Sequence, residues 1–289
     1  MCDDLTARDE EAALARSGLS RRQFAALATA AAMAACARPS DGKAATLREE
    51  TVRITTPDGV ADCFFVRPMR GKHPAVIMWP DIASLREAFF AMGRRLALAG
   101  YAVLVPNIYY RSAPAPVVSS FSEYRTSAGQ AKLAPMISAI TPAGTTRDAA
   151  AFAAWLDRQP SVDTARGMGS QGYCMGGPFA VRTAAVAPSR VKAAASFHGA
   201  NLVGTAPDSP SQILGATHAS FLFAIARGDD TRAPGDKDAL RAAAAAAGRP
   251  AEIEVYPADH GWCVPDTPVY DHDQAERAWG RLLALYSKL

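Results

Sequence analysis

The stretch Gly172-Tyr173-Cys174-Met175-Gly176-Gly177 joins a strand-like segment at residues 168–173 to a helix-like segment that continues through residues 179–186. Its form, G-x-C-x-G, is typical of a sharp strand-to-helix turn that presents a nucleophile at its tip, with sulfur here in place of the usual serine oxygen. Glycine is needed two positions away on either side because larger side chains would clash across so tight a turn. The stretch therefore predicts an α/β fold with Cys174 above the sheet, at the first turn of a helix.

The position of Cys174 suggests a chemical role. The partial positive charge at a helix N-terminus favours a thiolate, and a thiolate can attack the carbonyl of an ester or lactone. The alternative is structural, because a cysteine among glycines in an apolar stretch is often a small buried residue.

Composition narrows the class of protein. The chain has 289 residues, a hydrophobic fraction of 49% and a net charge of +3, which suits one large α/β domain or two small ones. No basic run interleaved with aromatic residues occurs, so nucleic acid is not an expected partner. The five cysteines are odd in number and widely spaced, which argues against a disulfide framework and a zinc site; they are Cys2, Cys36, Cys63, Cys174 and Cys263.

The N-terminal region resembles an export signal. Ser20-Arg21-Arg22-Gln23-Phe24 is a twin-arginine pattern, and the alanine-rich residues 25–35 after it are too short and too weakly apolar for a membrane span. We predict a signal segment at residues 1–36, a linker at 37–48 and a folded domain at 49–289. The resemblance implies the twin-arginine translocase as a partner during export, and the bacterial periplasm or cell envelope as the destination.

Two alternatives concern the same region. Met33-Ala34-Ala35-Cys36 looks like a degenerate lipobox, in which case lipid on Cys36 would tether the protein to the membrane. Cleavage without lipidation is the simpler interpretation, and without lipid no membrane association is expected. The region could also be an ordinary amphipathic helix, although paired arginines before an uncharged alanine run argue against it.

From about residue 48 onward, strand-like and helix-like segments alternate, which predicts βαβ units in a mostly parallel sheet flanked by helices. Strands are predicted at residues 51–54, 63–66, 75–79, 102–105, 168–173, 192–197, 220–226 and 252–256, and helices at residues 86–99, 145–158, 179–186, 238–247 and 273–289. Thr145-x-x-Asp148 has the form of a capping box and predicts the start of the second helix.

A nucleophilic cysteine needs a base, and the base needs an orienting acid. In folds of this kind the histidine comes late in the chain, on a loop after a strand. His260, within Tyr256-Pro257-Ala258-Asp259-His260-Gly261, meets both conditions, although it could be an ordinary surface-loop histidine. The other histidines fit less well because of their places relative to the strands; they are His73, His198, His218 and His272.

The acid is expected after the strand at residues 220–226, which ends in Arg227-Gly228-Asp229-Asp230. Neighbouring side chains point in different directions, so only one of Asp229 and Asp230 should face the histidine, and the other should cap a helix or turn. Asp163, Asp236 and Asp259 are weaker candidates.

From about residue 50 to the C-terminus, the chain resembles the dienelactone hydrolase family, a cysteine-nucleophile branch of the α/β-hydrolase fold. The motifs that carry the resemblance are G-Y-C-M-G-G at 172–177, G-D-D at 228–230, Y-P-A-D-H-G at 256–261, H-P-A-V-I-M at 73–78 and G-Y-A-V-L-V-P at 100–106, followed by Tyr109, Tyr110 and Arg111. The resemblance implies a catalytic triad of Cys174, Asp230 and His260.

Further roles are implied by the same resemblance. Asp81 stands where the family has a glutamate that meets the resting cysteine, although its carboxylate has a shorter reach and could instead cap the helix near residue 86. The backbone N–H groups of Met175 and Ile82 correspond to the oxyanion hole. The chain is expected to need no metal or cofactor.

Substrate preference is expected to differ from that of the family. Arg111 matches one of two arginines that bind the lactone carboxylate, with Tyr110 beside it, but Gly261-Trp262-Cys263-Val264 offers no second arginine. Loss of one guanidinium removes a bidentate anchor for a carboxylate. A neutral or bulkier ester is therefore expected, with Trp262 adding apolar surface.

The resulting expectation is a carboxymethylenebutenolidase-like hydrolase that acts on a lactone or carboxylic ester through a thioester. An exported small-molecule-binding protein with a degenerate site is the alternative. A metal site of His260, Cys263 and Asp266 is disfavoured because the spacing matches no recognised ligand pattern. Cys263 could approach Cys174 as a disulfide partner, or remain a buried free thiol.

Overall fold

A computed structural model describes residues 46–289, together with residues 8, 11–13 and 15. The twin-arginine motif at residues 20–24, the Cys36 lipidation site and most of the linker lie outside these residues. Across the described part of the chain, no helix combines the length and apolar character needed to cross a membrane.

Within residues 46–289, the fold is built on one sheet of eight strands in the order β1-β2-β4-β3-β5-β6-β7-β8. The strands are β1 (Leu47–Thr56), β2 (Gly59–Pro68), β3 (Ala75–Trp79), β4 (Ala102–Pro106), β5 (Met168–Tyr173), β6 (Val191–Phe197), β7 (Ser220–Ala226) and β8 (Ala251–Tyr256). The pairs β1–β2 and β2–β4 are antiparallel, and every pair from β4 to β8 is parallel. The predicted mostly parallel sheet of an α/β-hydrolase fold is therefore confirmed.

Helices connect the strands and cover both faces of the sheet. They are α1 (Glu87–Leu98), α2 (Phe121–Tyr124), α3 (Ser127–Ser138), α4 (Pro142–Asp157), α5 (Gly176–Val186), α6 (Pro210–Ile213), α7 (Arg227–Arg232), α8 (Asp236–Ala246) and α9 (His272–Tyr286). Residues from α1 and α9 pack against one face, and residues from α4, α5 and α8 pack against the other. Alternate residues of β3 feed the two cores, as the side-chain period of a strand requires: Ile77 enters one, and Val76 and Met78 enter the other.

The start of α4 differs from its predicted position by about one turn. The capping box expected at Thr145 and Asp148 is wrong, because α4 begins one turn earlier and both residues are buried inside it. The cap is Thr141, whose hydroxyl accepts the Gly144 N–H at 3.1 Å, and Pro142 occupies the first helical position. Proline is favoured there because its missing N–H would have no intrahelical partner.

β5 is polar and glycine-rich although it is buried along its whole length. Its glycines are required by close packing. A Cβ on Gly169 would lie 2.8 Å from the Tyr286 ring of α9, and a Cβ on Gly172 would lie 1.9 Å from the Gly176 carbonyl oxygen. The strand thus allows α5 and α9 to approach the sheet at the point where Cys174 follows.

Candidate active site

The G-x-C-x-G stretch forms the sharp turn that its pattern predicts. β5 ends at Tyr173 and α5 begins at Gly176, with Cys174 between them at φ +52°. That left-handed conformation is uncommon for a residue with a Cβ and is kept only where the surroundings hold it. A Cβ on Gly176 would lie 2.6 Å from the Pro80 carbonyl oxygen, so the turn also packs tightly against the loop after β3.

Hydrogen bonds hold the turn against the neighbouring strand. The Cys174 N–H donates to the Phe197 carbonyl and to Nδ1 of His198, each at 3.1 Å. The Cys174 carbonyl accepts from the N–H groups of Gly177 at 3.1 Å and Ala200 at 3.3 Å. Cys174 is only 3% exposed, and both of its peptide groups are fixed by the end of β6.

His260 lies in the loop after β8, as predicted, and is almost fully buried. Its Nδ1 is 2.8 Å and 3.0 Å from the two carboxylate oxygens of Asp229, while Nε2 is bonded to no nitrogen or oxygen. Burial disfavours a charged imidazole here, but the negative charges of Cys174 and Asp229 outweigh it and raise the pKa of His260 to about 10. Negative charge on Cys174 and Asp229 therefore favours the protonated form of the His260 ring.

The choice of acid implied by the family resemblance is corrected by this contact. Asp229, and not Asp230, faces His260, while the Asp230 carboxylate lies 2.6 Å from Nζ of Lys237. Both aspartates stand in the short helix α7, where successive side chains project about 100° apart. Arg232, one turn later in the same helix, also bonds Asp229. Residue order alone leaves the two aspartates equivalent, and the helical turn separates them.

Asp81 is fully engaged by a buried arginine. Its two oxygens accept from Nη1 of Arg86 at 2.7 Å and Nη2 at 3.0 Å, and the first also accepts the Ala83 N–H at 2.9 Å. Arg86 is bonded on its other side to Asp266 at 2.7 and 2.8 Å. The expected alternative of a helix cap is wrong, because α1 begins after Arg86 without a side-chain cap. Asp81 instead links the loop after β3 to the loop after His260.

The two amides assigned to the oxyanion hole belong to segments that touch each other. Met175 directly follows Cys174 and has helical backbone angles. Ile82 lies in the loop after β3, where its carbonyl accepts the Tyr109 hydroxyl at 2.7 Å. The close approach of Gly176 to Pro80 brings these segments together.

Arg111 and Tyr110, which were expected to bind substrate, are occupied by protein partners. Arg111 bonds Asp148 at 2.8 and 2.9 Å and Asp58 at 2.6 Å. The Tyr110 hydroxyl donates to Asp148 at 2.7 Å and lies 2.6 Å from Oγ1 of Thr56. In this structure Arg111 is therefore not an open carboxylate anchor, because the β1–β2 turn and α4 already supply two carboxylates, and its role towards substrate stays a prediction.

Trp262 is also placed differently from the expectation. It is completely buried, with its ring 5.2 Å from the ring of Tyr256 and 5.2 Å from that of His198, so it supports the site from behind and adds no open apolar surface. The neighbouring Cys263 lines an apolar cavity of about 180 Å³ between the sheet, α1 and α9.

Three cysteines lie in the described part of the chain, and one of them, Cys263, belongs to the disfavoured metal site. No disulfide joins Cys63, Cys174 and Cys263 to one another, and burial raises the pKa of Cys63 and of Cys263 well above the ordinary thiol value. Asp266 is bound by Arg86, and Cys263 lines the apolar cavity. Within residues 46–289 and the few described before them, no group of three or more metal-ligating side chains is suited to hold an ion.

His198 is the site residue that the sequence interpretation passed over. It follows β6 at φ +40°, is 1% exposed, and places its ring 4.8 Å from that of His260. Burial lowers its pKa, as does the charge on His260. The signal was present, since β6 is the strand beside β5 and its carboxyl end must lie next to Cys174.

Comparisons with known proteins agree with this geometry. The dienelactone hydrolase family profile matches residues 61–289. A Salmonella typhi protein named "Putative carboxymethylenebutenolidase" is 30% identical over 233 residues, which cover 78% of this chain and 82% of that protein. A Methylorubrum extorquens protein of the same name is 26% identical over 280 residues, covering 93% of this chain and 92% of that one.

A solved structure extends the agreement to three dimensions. The crystal structure of a protein titled "Putative Dienelactone Hydrolase", from Klebsiella pneumoniae, superposes with a TM-score of 0.73 at 26% identity, covering 84% of this chain and all of that one. The family profile spans the elbow, the aspartate pair and the histidine loop. The chain is therefore a hydrolase and belongs to the dienelactone hydrolase family.

Proposed function

We propose that the protein hydrolyses a carboxylic ester or lactone, with Cys174 as nucleophile, His260 as general acid and base, and Asp229 as the group that orients His260. The main support is the contact between Nδ1 of the buried His260 and the Asp229 carboxylate. The negative charge of Cys174 also raises the pKa of the same ring. An imidazolium and a thiolate stabilise each other in this arrangement, and the thiolate is the reactive form of cysteine.

The proposed reaction has two halves. The Cys174 thiolate attacks the substrate carbonyl, and the Met175 and Ile82 N–H groups stabilise the oxyanion. The C–O bond breaks, the proton of His260 passes to the departing alkoxide, and a thioester remains on Cys174. Neutral His260 then takes a proton from water, the resulting hydroxide attacks the thioester, and the carboxylic acid leaves with the thiolate restored.

We propose a neutral ester or lactone as the preferred substrate. Two observations support this: Arg111 already carries two carboxylate partners, and residues 261–264, directly after His260, include no second arginine. A substrate carboxylate would have to displace one of those partners from a half-buried guanidinium, and that partner would lose its charged bond to Arg111. The alternative of a binding protein with a degenerate site is not favoured, because the chain is a hydrolase by family.

The test compares Cys174→Ala with Cys263→Ala, using hydrolysis of p-nitrophenyl acetate. Loss of the proposed nucleophile should abolish turnover, whereas loss of the cavity thiol should leave kcat/KM within about twofold. Cys174→Ser should retain little activity, because serine is a weaker nucleophile in a site that stabilises a thiolate. Full turnover by Cys174→Ala with an intact fold would refute the assignment.

We also propose export through the twin-arginine route, on the basis of Ser20-Arg21-Arg22-Gln23-Phe24 and the alanine-rich residues that follow. Cell fractionation of the full chain, with Arg21→Lys and Arg22→Lys together as the control, should find the protein outside the cytoplasm and retain the double variant inside. Mass spectrometry of the exported protein distinguishes lipid on Cys36 from plain cleavage.

A further inference from the structure

His198 contacts the main parts of the proposed site although the proposed reaction assigns it no role. Its Nδ1 accepts the Cys174 N–H at 3.1 Å, its ring meets the His260 ring at 4.8 Å, and its other side packs on Trp262 at 5.2 Å. Its imidazole also interacts with the Cys174 thiol. A histidine that served only to fill space would not need to bond the backbone of the nucleophile.

The contact with the Cys174 N–H determines the tautomer. A ring nitrogen that accepts a hydrogen bond carries no proton, so Nδ1 is unprotonated and the proton of the neutral ring sits on Nε2. Nε2 of His198 is buried without a bonded partner. Protonation of both nitrogens would turn Nδ1 into a donor facing another donor, and would also place two imidazolium rings side by side.

The surroundings keep His198 neutral while His260 is charged. Burial lowers the pKa of His198 most, and the positive charge of His260 lowers it further. The negative charges of Cys174 and Asp229 raise the pKa, but they do not reverse the net lowering. Tyr173 and Trp262, whose rings also lie beside His198, carry no charge at neutral pH. The two histidines therefore differ in protonation state although they stand edge to face.

The hydrogen bond between Cys174 and His198 joins two residues with uncommon backbone conformations. Cys174 and His198 both have positive φ, at +52° and +40°, and the His198 N–H is fixed to the Ala224 carbonyl at 2.8 Å. Two uncommon conformations are thus joined by one side-chain hydrogen bond, and that bond is anchored to β7. Removal of the acceptor takes away one of the hydrogen bonds that hold the Cys174 amide, while the bond to the Phe197 carbonyl stays.

We propose that His198 is a positioning residue for the proposed hydrolysis: its neutral imidazole holds the Cys174 amide and keeps the thiol aligned with His260. This inference rests on the proposed function for its effect on turnover, but its effect on the thiol can be measured without turnover. His198 itself forms no bond to the substrate in this scheme.

The experiment compares His198→Leu, His198→Asn and His198→Gln, with the exposed His218→Asn as the matched control. The asparagine amide oxygen sits near the place of Nδ1 and can accept the same N–H, whereas the glutamine amide lies one methylene farther out. Three quantities are measured: the pH dependence of Cys174 alkylation by iodoacetamide, the kcat and KM for p-nitrophenyl acetate, and the midpoint of thermal unfolding.

His198→Leu should move the alkylation midpoint of Cys174 upward by about one pH unit, because an apolar neighbour stabilises a thiolate less than an imidazole does. It should also lower kcat by about 10- to 100-fold with KM within about twofold, since misplacement of a reacting group is costly. His198→Asn should recover most of both effects, His198→Gln should not, and His218→Asn should match the parent protein.

The proposal is overturned if His198→Leu keeps the parental alkylation profile and kcat, or if His198→Asn is as impaired as His198→Leu. If His198→Leu does not fold, the asparagine and glutamine variants decide the question by the same ranking. A parent protein that hydrolyses no ester would refute the proposed function, while the alkylation profiles would still test His198.

Discussion

Asp229 holds His260 by Nδ1 at 2.8 Å, and this contact orients the only ring nitrogen left for the thiol. Asp230, its immediate neighbour, lies in an ion pair with Lys237. The pair of aspartates therefore supplies a matched experiment, in which the same chemical change is made at adjacent positions with different neighbours.

Asp229→Asn should lower kcat/KM for p-nitrophenyl acetate by about 10²- to 10⁴-fold, because the orienting charge stabilises the imidazolium and fixes its tautomer. Asp230→Asn should leave it within about threefold, because the ion pair with Lys237 is partly exposed. Steady-state kinetics of the two variants measures both. Equal losses, or a larger loss at Asp230, would restore the assignment implied by the family motif.

Among the cysteines that the structure describes, Cys174 should be the one that iodoacetamide modifies first at pH 7. Protonated His260, with its pKa raised to about 10, keeps the thiolate populated as the pH falls below the ordinary thiol range, whereas burial raises the pKa of Cys63 and Cys263 and leaves them as thiols. Peptide mass spectrometry over pH 5–10 gives the rate at each site. Faster modification of Cys263 at neutral pH would contradict the ion pair.

Arg86→Met should destabilise the fold by about 3–5 kcal/mol, because the buried Asp81 would lose its charged partner. Arg94→Met is the control: Arg94 pairs with Glu49 and Glu87 at the surface, where such a pair contributes about 1 kcal/mol or less. Urea unfolding measures both. A similar small loss at both positions would mean that the Arg86 network is not a support of the site.

Replacement of Arg111 should have little effect on the preference between neutral and carboxylate-bearing substrates. Arg111 is expected to stay bound to its two carboxylate partners, so Arg111→Met should lower the unfolding midpoint. The ratio of kcat/KM for a neutral ester to kcat/KM for its carboxylate-bearing analogue should change by no more than about threefold. A panel of matched lactones and esters measures the ratio. Strong preference of the parent for carboxylate-bearing substrates, lost in Arg111→Met, would show that Arg111 releases a partner to bind substrate.

Gly172→Ala should fail to give a stable protein, because the added Cβ would stand 1.9 Å from the Gly176 carbonyl oxygen, which belongs to the backbone and cannot rotate away. Gly215→Ala is the matched control, since nothing lies within 4 Å of a Cβ there. Soluble yield and thermal unfolding of the two variants are the measurements. A folded, active Gly172→Ala would show that the elbow can relax.

Several strands of the sheet were predictable from local sequence patterns. β3, β5 and β7 have the predicted limits, because a continuous buried run or a strand before a glycine turn is a strong local signal. α2 and α3 were missed, since their positions depend on packing outside the sheet. The start of α4 was misplaced because two threonine-led caps compete within a few residues, and the signal of Pro142 after Thr141 was overlooked.

The sequence by itself determined the strand-to-helix turn at Cys174, the late histidine on its loop and the family, because these depend on short motifs and on the order of elements along the chain. Only the tertiary structure decided between Asp229 and Asp230, bound Arg111 and Asp81 to protein partners, buried Trp262 and brought His198 to the nucleophile. Those outcomes depend on side-chain directions across strands and loops distant in the chain, and residue order does not encode which of two neighbours faces inward.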